Sequence, residues 1–388
     1  MTTSNINSNK LFVASCVALI TTAMAFGLRA GMVESWATEF SLSYEQVGWI
    51  SGTAFWGFTL AMIFGGPLCD VLGMKRLAYV AFVGHLVGIV LTMVANGFAA
   101  LYVSTLLVGV ANGMVEAACN PLVATLYSKD KTKMLNRFHV WFPGGIVIGG
   151  LVGYFLGQAG ISWRVQMAAM LVPNLVYGWM FLRERFPVTE RVSLGVSSKD
   201  MYKACLSGIF IVMVLCMFIT ASTELGTGQL IETLLKGTGV SGLLVLVFIN
   251  GIMMVGRAFA GPIAHRLAPS GMLLFSAVFS TLGLLGLSYA SGPSTFLAAL
   301  VFAVGVCFFW PTMLSFVAEY LPNTGALGLS IMGGAGMLAV SFVLPALGSS
   351  LDNFSGPLTL RYYAILPAVL IVAFFILNLK YGKGKIQA

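Results

Sequence analysis

Residues 65–76 read GGPLCDVLGMKR, and residues 256–267 read GRAFAGPIAHRL. Each stretch closes an apolar run, and their Gly-Pro pairs, Gly66-Pro67 and Gly261-Pro262, stand 195 residues apart. Two more landmarks repeat in the same order. Asn120-Pro121 is answered by Trp310-Pro311 after 190 residues, and Gly144-Gly145 by Gly333-Gly334 after 189. Three landmarks at nearly constant offset describe two related halves running in the same direction.

The composition says what the halves are made of. Of 388 residues, 58% are hydrophobic and only 9% charged, with mean hydropathy +0.93. A soluble domain carries about 25% charged residues, so the chain is read as a polytopic membrane protein. Apolar runs near the ~20 residues a helix needs to cross a bilayer recur along its length. Spans are expected at 11–37, 44–68, 77–95, 98–126, 137–157 and 164–182. A second set is expected at 203–226, 240–264, 271–290, 294–318, 325–349 and 358–380. The expected fold is an all-α membrane protein of twelve transmembrane helices in two pseudo-symmetric six-helix halves. Residues 1–182 form the first half, 183–202 a cytoplasmic linker and 203–388 the second half.

The net charge of +8 is explained by its placement and is no nucleic-acid footprint. Sixteen of the 21 Lys and Arg fall on the side that holds both termini. The positive-inside rule makes that side cytoplasmic and the number of spans even. A multi-pass protein of the cell membrane (the inner membrane), with both termini cytoplasmic, is expected. The start, MTTSNINSNK, lacks the basic region and cleavage site of a removable signal, so the first span is expected to be retained. Six cysteines without paired spacing indicate neither disulfides nor zinc. No phosphate loop, metal cluster or nucleophile–base motif is present in the sequence, so neither an enzyme nor a cofactor is expected.

The first landmark resembles the loop motif of the major facilitator superfamily, Gly-x-x-x-Asp-x-x-Gly-x-Lys/Arg-Lys/Arg, with Gly66, Asp70, Gly73, Lys75 and Arg76 at its places. The resemblance implies a gating role for Asp70, Gly73 and Arg76, with Asp70 latching the halves on the cytoplasmic side. The glycines are also expected to let helix ends pack closely. In the second copy His265 stands where the acid would be. Span four narrows the resemblance. GMVEAACNP (113–121) is similar to the Glu-x-x-x-Asn-Pro segment of fucose–proton symporter-type sugar transporters, and LNRFHVWFPGG (135–145) to the stretch that opens their span five. This implies Glu116 as a protonation site, with Asn120, Asn136 and His139 contacting sugar hydroxyls or serving coupling.

The residues support that outline. An ionisable side chain at bilayer depth is costly and is a functional candidate by default. Asn112, Glu116 and Asn120 are spaced by four and share one helix face. A carboxyl group in a low-dielectric cavity takes up a proton near neutrality. Glu116 has a second reading, a carboxylate hydrogen-bonded between helices, and His139 a second reading as a packing residue. Sugar hydroxyls need amide partners and an aromatic platform, for which Gln229, Trp141 and Trp310 are candidates beside the asparagines. Span seven ends TELGTGQLIE (223–232), which describes a broken helix end with Glu224 lining a cavity and Glu232 at the outer surface. Arg29 stands in span one where the resembled family places an acid. It pairs with Glu116, Glu224 or Glu34, snorkels outward, or meets an anionic solute. Blander readings fit the remaining polar residues: Arg257 tying helix ends or meeting lipid phosphate, His85 packed, Asn174 and Asn250 bonding between helices, and Pro121 bending span four.

Together these readings describe a monomeric secondary active transporter in the lipid bilayer. It would take up a sugar-like solute with a coupling ion, proton or sodium, through Glu116, Glu224 and Arg29. An organic-anion or sugar-acid symporter using Arg29, or a metabolite or drug exporter, is the alternative.

Overall fold

The structure, a computed structural model, describes residues 6–127, 131–188, 203–258 and 268–382. Among them there is no strand. The helices are α1 Ser8–Glu39, α2 Tyr44–Leu72, α3 Met74–Met93, α4 Phe98–Leu126, α5 Lys131–His139, α6 Trp141–Gln158, α7 Trp163–Ala168 and α8 Leu171–Arg183. They continue with α9 Gly208–Ala221, α10 Thr227–Gln229, α11 Ile231–Leu234, α12 Gly242–Ala258, α13 Pro269–Tyr289 and α14 Ser294–Val306. The last are α15 Phe309–Tyr320, α16 Gly325–Asn353, α17 Gly356–Tyr363 and α18 Ile365–Tyr381. Among the described residues eleven helical stretches are long and apolar enough to cross a membrane, and a shorter apolar helix, Gly242–Arg257, stands where the eighth of the twelve expected spans falls. The second landmark, past Ala258, and most of the linker lie outside the described residues.

The chain forms two compact units. One comprises Met1–Leu42 and Trp49–Val196, the other Ser43–Gly48 and Ser197–Ala388. In the first, α1 packs along α6 and α3 along α4. The α1–α6 seam is backbone against backbone. A β-carbon on Gly27 would lie 2.5 Å from the Ile146 carbonyl oxygen, and one on Gly149 2.7 Å from the Met24 carbonyl. Small residues permit this approach where lipid supplies no hydrophobic drive. The second unit has α13 against α14 and α18. Large apolar side chains point outward, as with Val172, Phe155 and Leu379, while His85, Asn112 and Asn174 are fully buried. That inverts the soluble pattern and suits a hydrocarbon solvent.

Four spans break for one reason. Proline has no N–H, so the carbonyl four residues earlier loses its helical partner. The breaks at Val140, at Ala169–Met170, at Cys307–Phe308 and at Ala364 precede Pro143, Pro173, Pro311 and Pro367. Pro121 behaves differently: α4 runs through it without interruption.

Gly73 corrects an expectation. A side chain there would meet nothing within 4 Å, so close packing is not its role. Its φ of +86° lies in the left-handed region, at the turn between α2 and α3. Lys75 has a definite task as well. Its Nζ donates to the carbonyls of Leu182 (3.2 Å) and Glu184 (2.9 Å), at the end of α8 where a cation is favoured. Arg76 is exposed, and the Asp70 side chain lies outside the described set. Gly73→Ala and Gly73→Asn are therefore both expected to destabilise the purified protein by about 1 kcal/mol or more, since φ +86° with ψ 148° is open to glycine alone. Unfolding temperatures in detergent measure both, and an unchanged value for Gly73→Ala would contradict the assignment.

Candidate functional site

Helix α4 places Glu116 and Asn120 one turn apart, and the break before Pro143 sets His139 at the end of α5. The three side chains form a relay. Asn120 Nδ2 donates to Glu116 Oε2 at 2.6 Å. His139 Nε2 lies 3.0 Å from Asn120 Oδ1 and 4.0 Å from Glu116 Oε2. A carbonyl oxygen only accepts, so Nε2 carries the hydrogen. Glu116 is buried, whereas the His139 side chain is 45% exposed. The relay thus connects an accessible imidazole to an enclosed carboxylate.

Asn112 belongs elsewhere. Its Oδ1 lies 2.7 Å from His85 Nε2, and the other ring nitrogen lies 2.8 Å from the Tyr177 hydroxyl. All three side chains are fully buried, so Asn112 is engaged away from the Glu116–Asn120–His139 group. Sharing a face with Glu116 did not bring it to the same site, because a helix face one turn further along meets α3 instead. His85 is the packed residue expected, now with its partners. The other two asparagines depart from interhelical bonding. Asn250 Nδ2 donates to Leu246 of its own helix, and Asn174 is buried with neither amide atom bonded.

Trp141 is 40% exposed at the start of α6. The Asn136 side chain lies outside the described set. Arg29 is buried against two rings, 4.9 Å from the Phe26 centroid and 5.8 Å from that of Phe55. It lines a small cavity inside the first unit with Met32, Trp36, Thr92 and Thr105. Phe26 also packs on Phe142, close in sequence to the relay.

The second unit carries a charged pair that sequence reading missed. Glu224 sits in a π-helical turn, Ser222–Gly226, between α9 and α10. That turn is the break expected from its glycines. The Tyr363 hydroxyl donates to the Ser222 carbonyl at 2.6 Å, and any side chain on Gly226 would collide with that hydroxyl. Glu224 Oε1 accepts from Arg257 Nη2 at 3.1 Å, and Arg257 Nε donates to the Cys307 carbonyl at 3.0 Å. Pro311, four residues on, is the reason that carbonyl is available. Arg257 therefore ties the last turn of α12 to the end of α14, as expected, and pairs with Glu224 as well. The available signal was two opposite isolated charges in adjacent apolar spans. Glu232 accepts from the Leu243 amide and so caps α12, Gln229 is buried, and the Trp310 ring packs on Gly336.

Asn120→Leu leaves a buried carboxylate without its strong donor, so a stability loss of about 2 kcal/mol is expected. His139→Ala, at an exposed position, is expected to cost about 0.5 kcal/mol. Denaturation of the two purified variants gives the order, and its reversal would contradict the relay.

A family model described as the Major Facilitator Superfamily matches residues 11–323. The cis,cis-muconate transport protein of Acinetobacter baylyi is 26% identical over 170 residues, which cover 42% of this chain and 40% of that protein. The chain thus spans less than half the length of that curated relative. The xylose transporter XylE of E. coli superposes with a TM-score of 0.81 at 15% identity, covering 97% of this chain and 98% of that one. The E. coli fucose:proton symporter FucP gives 0.64 at 17% identity, with 94% and 98% covered. At such identities the structures show a shared fold. The family match spans most of the chain, and so this multi-pass membrane protein belongs to the Major Facilitator Superfamily of transporters.

Proposed function

We propose that the chain is a secondary active transporter that takes up a sugar or related small polar solute together with a proton carried by Glu116. The observation behind this reading is the relay of Glu116, Asn120 and His139, which joins a buried carboxylate to an accessible ring. Asn120 holds the two in place, and the ring nitrogen, 4.0 Å from Glu116 Oε2, can hand its proton directly to a charge that hydrocarbon otherwise isolates. Two fold neighbours named for xylose and fucose support a sugar-like solute. The cycle has the solute bind while Glu116 is protonated, with proton release resetting the empty carrier. Transport is by alternating access, with the chain organised as halves 1–182 and 203–388, and Asp70, Gly73 and Arg76 are its gating residues. Both termini lie in the cytoplasm, and the monomer suffices. Asn120, Asn136, His139, Trp141, Gln229 and Trp310 supply the solute's polar and aromatic partners.

The muconate relative favours a second reading, a symporter of organic anions or sugar acids. In that reading Arg29→Gln removes anion binding selectively.

The test uses proteoliposomes with an inward proton gradient and labelled D-xylose and L-fucose. Glu116→Gln is expected to abolish accumulation above equilibrium, at least about tenfold below the unsubstituted protein, while counterflow exchange persists. Normal accumulation by that variant would remove Glu116 from the coupling step.

A further inference from the structure

The Glu224–Arg257 pair is unevenly satisfied. Arg257 uses one edge of its guanidinium, Nε on the Cys307 carbonyl and Nη2 on Glu224. The other edge, Nη1 with the second N–H of Nη2, has no partner among the described residues, and the side chain keeps 19% of its surface exposed. On the acid side, Glu224 Oε2 is buried with no hydrogen-bond partner among the described residues. A pair kept for stability alone would be bidentate and saturated, because each unmet buried polar atom costs free energy. A planar edge of two N–H groups matches a carboxylate.

We infer that Arg257 is the contact for a carboxylate of the transported solute, with Glu224 as the resident counter-ion that binds a proton when the solute docks. This names the solute class as hydroxylated carboxylates and rests on the reading of the chain as a solute symporter. Charge balance gives the proton its place. A docked carboxylate beside Arg257 and ionised Glu224 leaves one net negative charge in an apolar bundle. A proton on Glu224 Oε2, taken from the medium with the solute and returned on its release, leaves none. Oε1 keeps its bond to Nη2 throughout. Among the described residues, the other titratable groups near the pair are Cys307, whose Sγ meets the Met253 carbonyl at 3.7 Å, and Tyr363, which is engaged with Ser222. Asn250 lies two turns before Arg257 on the same face of α12, in register for the solute's hydroxyls.

The experiment is titration calorimetry on the full chain in lipid nanodiscs. Its probes are D-glucuronate, D-gluconate and acetate, with D-glucose and D-xylose as neutral counterparts. At least one hydroxylated carboxylate is expected to bind, about tenfold more tightly for each unit of pH lowered, as linkage to one proton requires. Arg257→Gln is expected to weaken it by at least about thirtyfold, with Arg257→Lys restoring part. Glu224→Gln is expected to keep binding and lose the pH slope. The double substitution Glu224→Gln with Arg257→Gln leaves no unpaired charge, so it separates loss of the contact from failure to fold; it too is expected not to bind. Carboxylate binding that survives Arg257→Gln, or a pH slope that survives Glu224→Gln, overturns the inference. Neutral sugars binding while no carboxylate does overturns it and leaves the sugar reading standing. Carboxylate binding lost in Arg257→Gln, with normal accumulation in Glu116→Gln, supports it and removes the coupling role of Glu116. Binding of no probe to the unsubstituted protein overturns both.

Discussion

Hydrocarbon offers no hydrogen bond, so a polar group in a membrane-spanning helix must find its partner within the protein. The charges described here answer that constraint one by one. Glu116 is met by Asn120 and His139, and Glu224 by Arg257. Glu39 is held by Arg164 at 2.7 Å and by the Trp163 indole at 2.6 Å, which ties the end of α1 to the start of α7. Arg29 lies over the rings of Phe26 and Phe55. A buried ion pair adds little net stability once desolvation is counted, but losing one partner is costly. The charges therefore fix which helices neighbour one another.

Backbone groups obey the same rule, and here proline sets the pattern. Each proline that interrupts a span leaves a carbonyl to be satisfied by other means. At Pro311 the free Cys307 carbonyl receives Arg257, and so a backbone defect orients a side chain. The π turn at Ser222–Gly226 works alike, since its Ser222 carbonyl takes the Tyr363 hydroxyl. In the first unit the break before Pro143 leaves His139 at a helix end, within reach of Asn120. Irregular backbone and chemically useful side chains coincide because both need a partner outside the regular ladder.

Much of this was legible in the sequence. The apolar runs gave the spans to within a few residues for most helices, since a bilayer demands a near-constant apolar length. Span seven was placed early: the apolar helix runs Gly208–Gln229, because the chain turns at Leu206–Ser207 before it. The spacing of Glu116 and Asn120 put them on one face, and the segment resembled in span five brought His139. The Glu224–Arg257 pair, the His85–Asn112–Tyr177 cluster and the capping role of Lys75 were not legible. Their members lie on different helices, and nothing local in the sequence says which faces of two helices will meet. Gly73 was singled out for the wrong reason, since a glycine in a motif does not reveal whether space or backbone angle requires it.

The sequence by itself determined that this is a helical membrane protein of about twelve spans with an internal echo, and that a few charges sit where charges are costly. Those facts follow from length, hydropathy and spacing, which are properties of one helix at a time. Only the tertiary structure decided the partners: Asn112 with His85 and not with the Glu116 relay, Arg257 with Glu224, and Trp310 on Gly336. Pairing depends on the rotation of each helix about its axis. That rotation is set by packing, where one glycine allows backbone contact and one proline redirects a turn, and its outcome is shared among helices far apart in the chain.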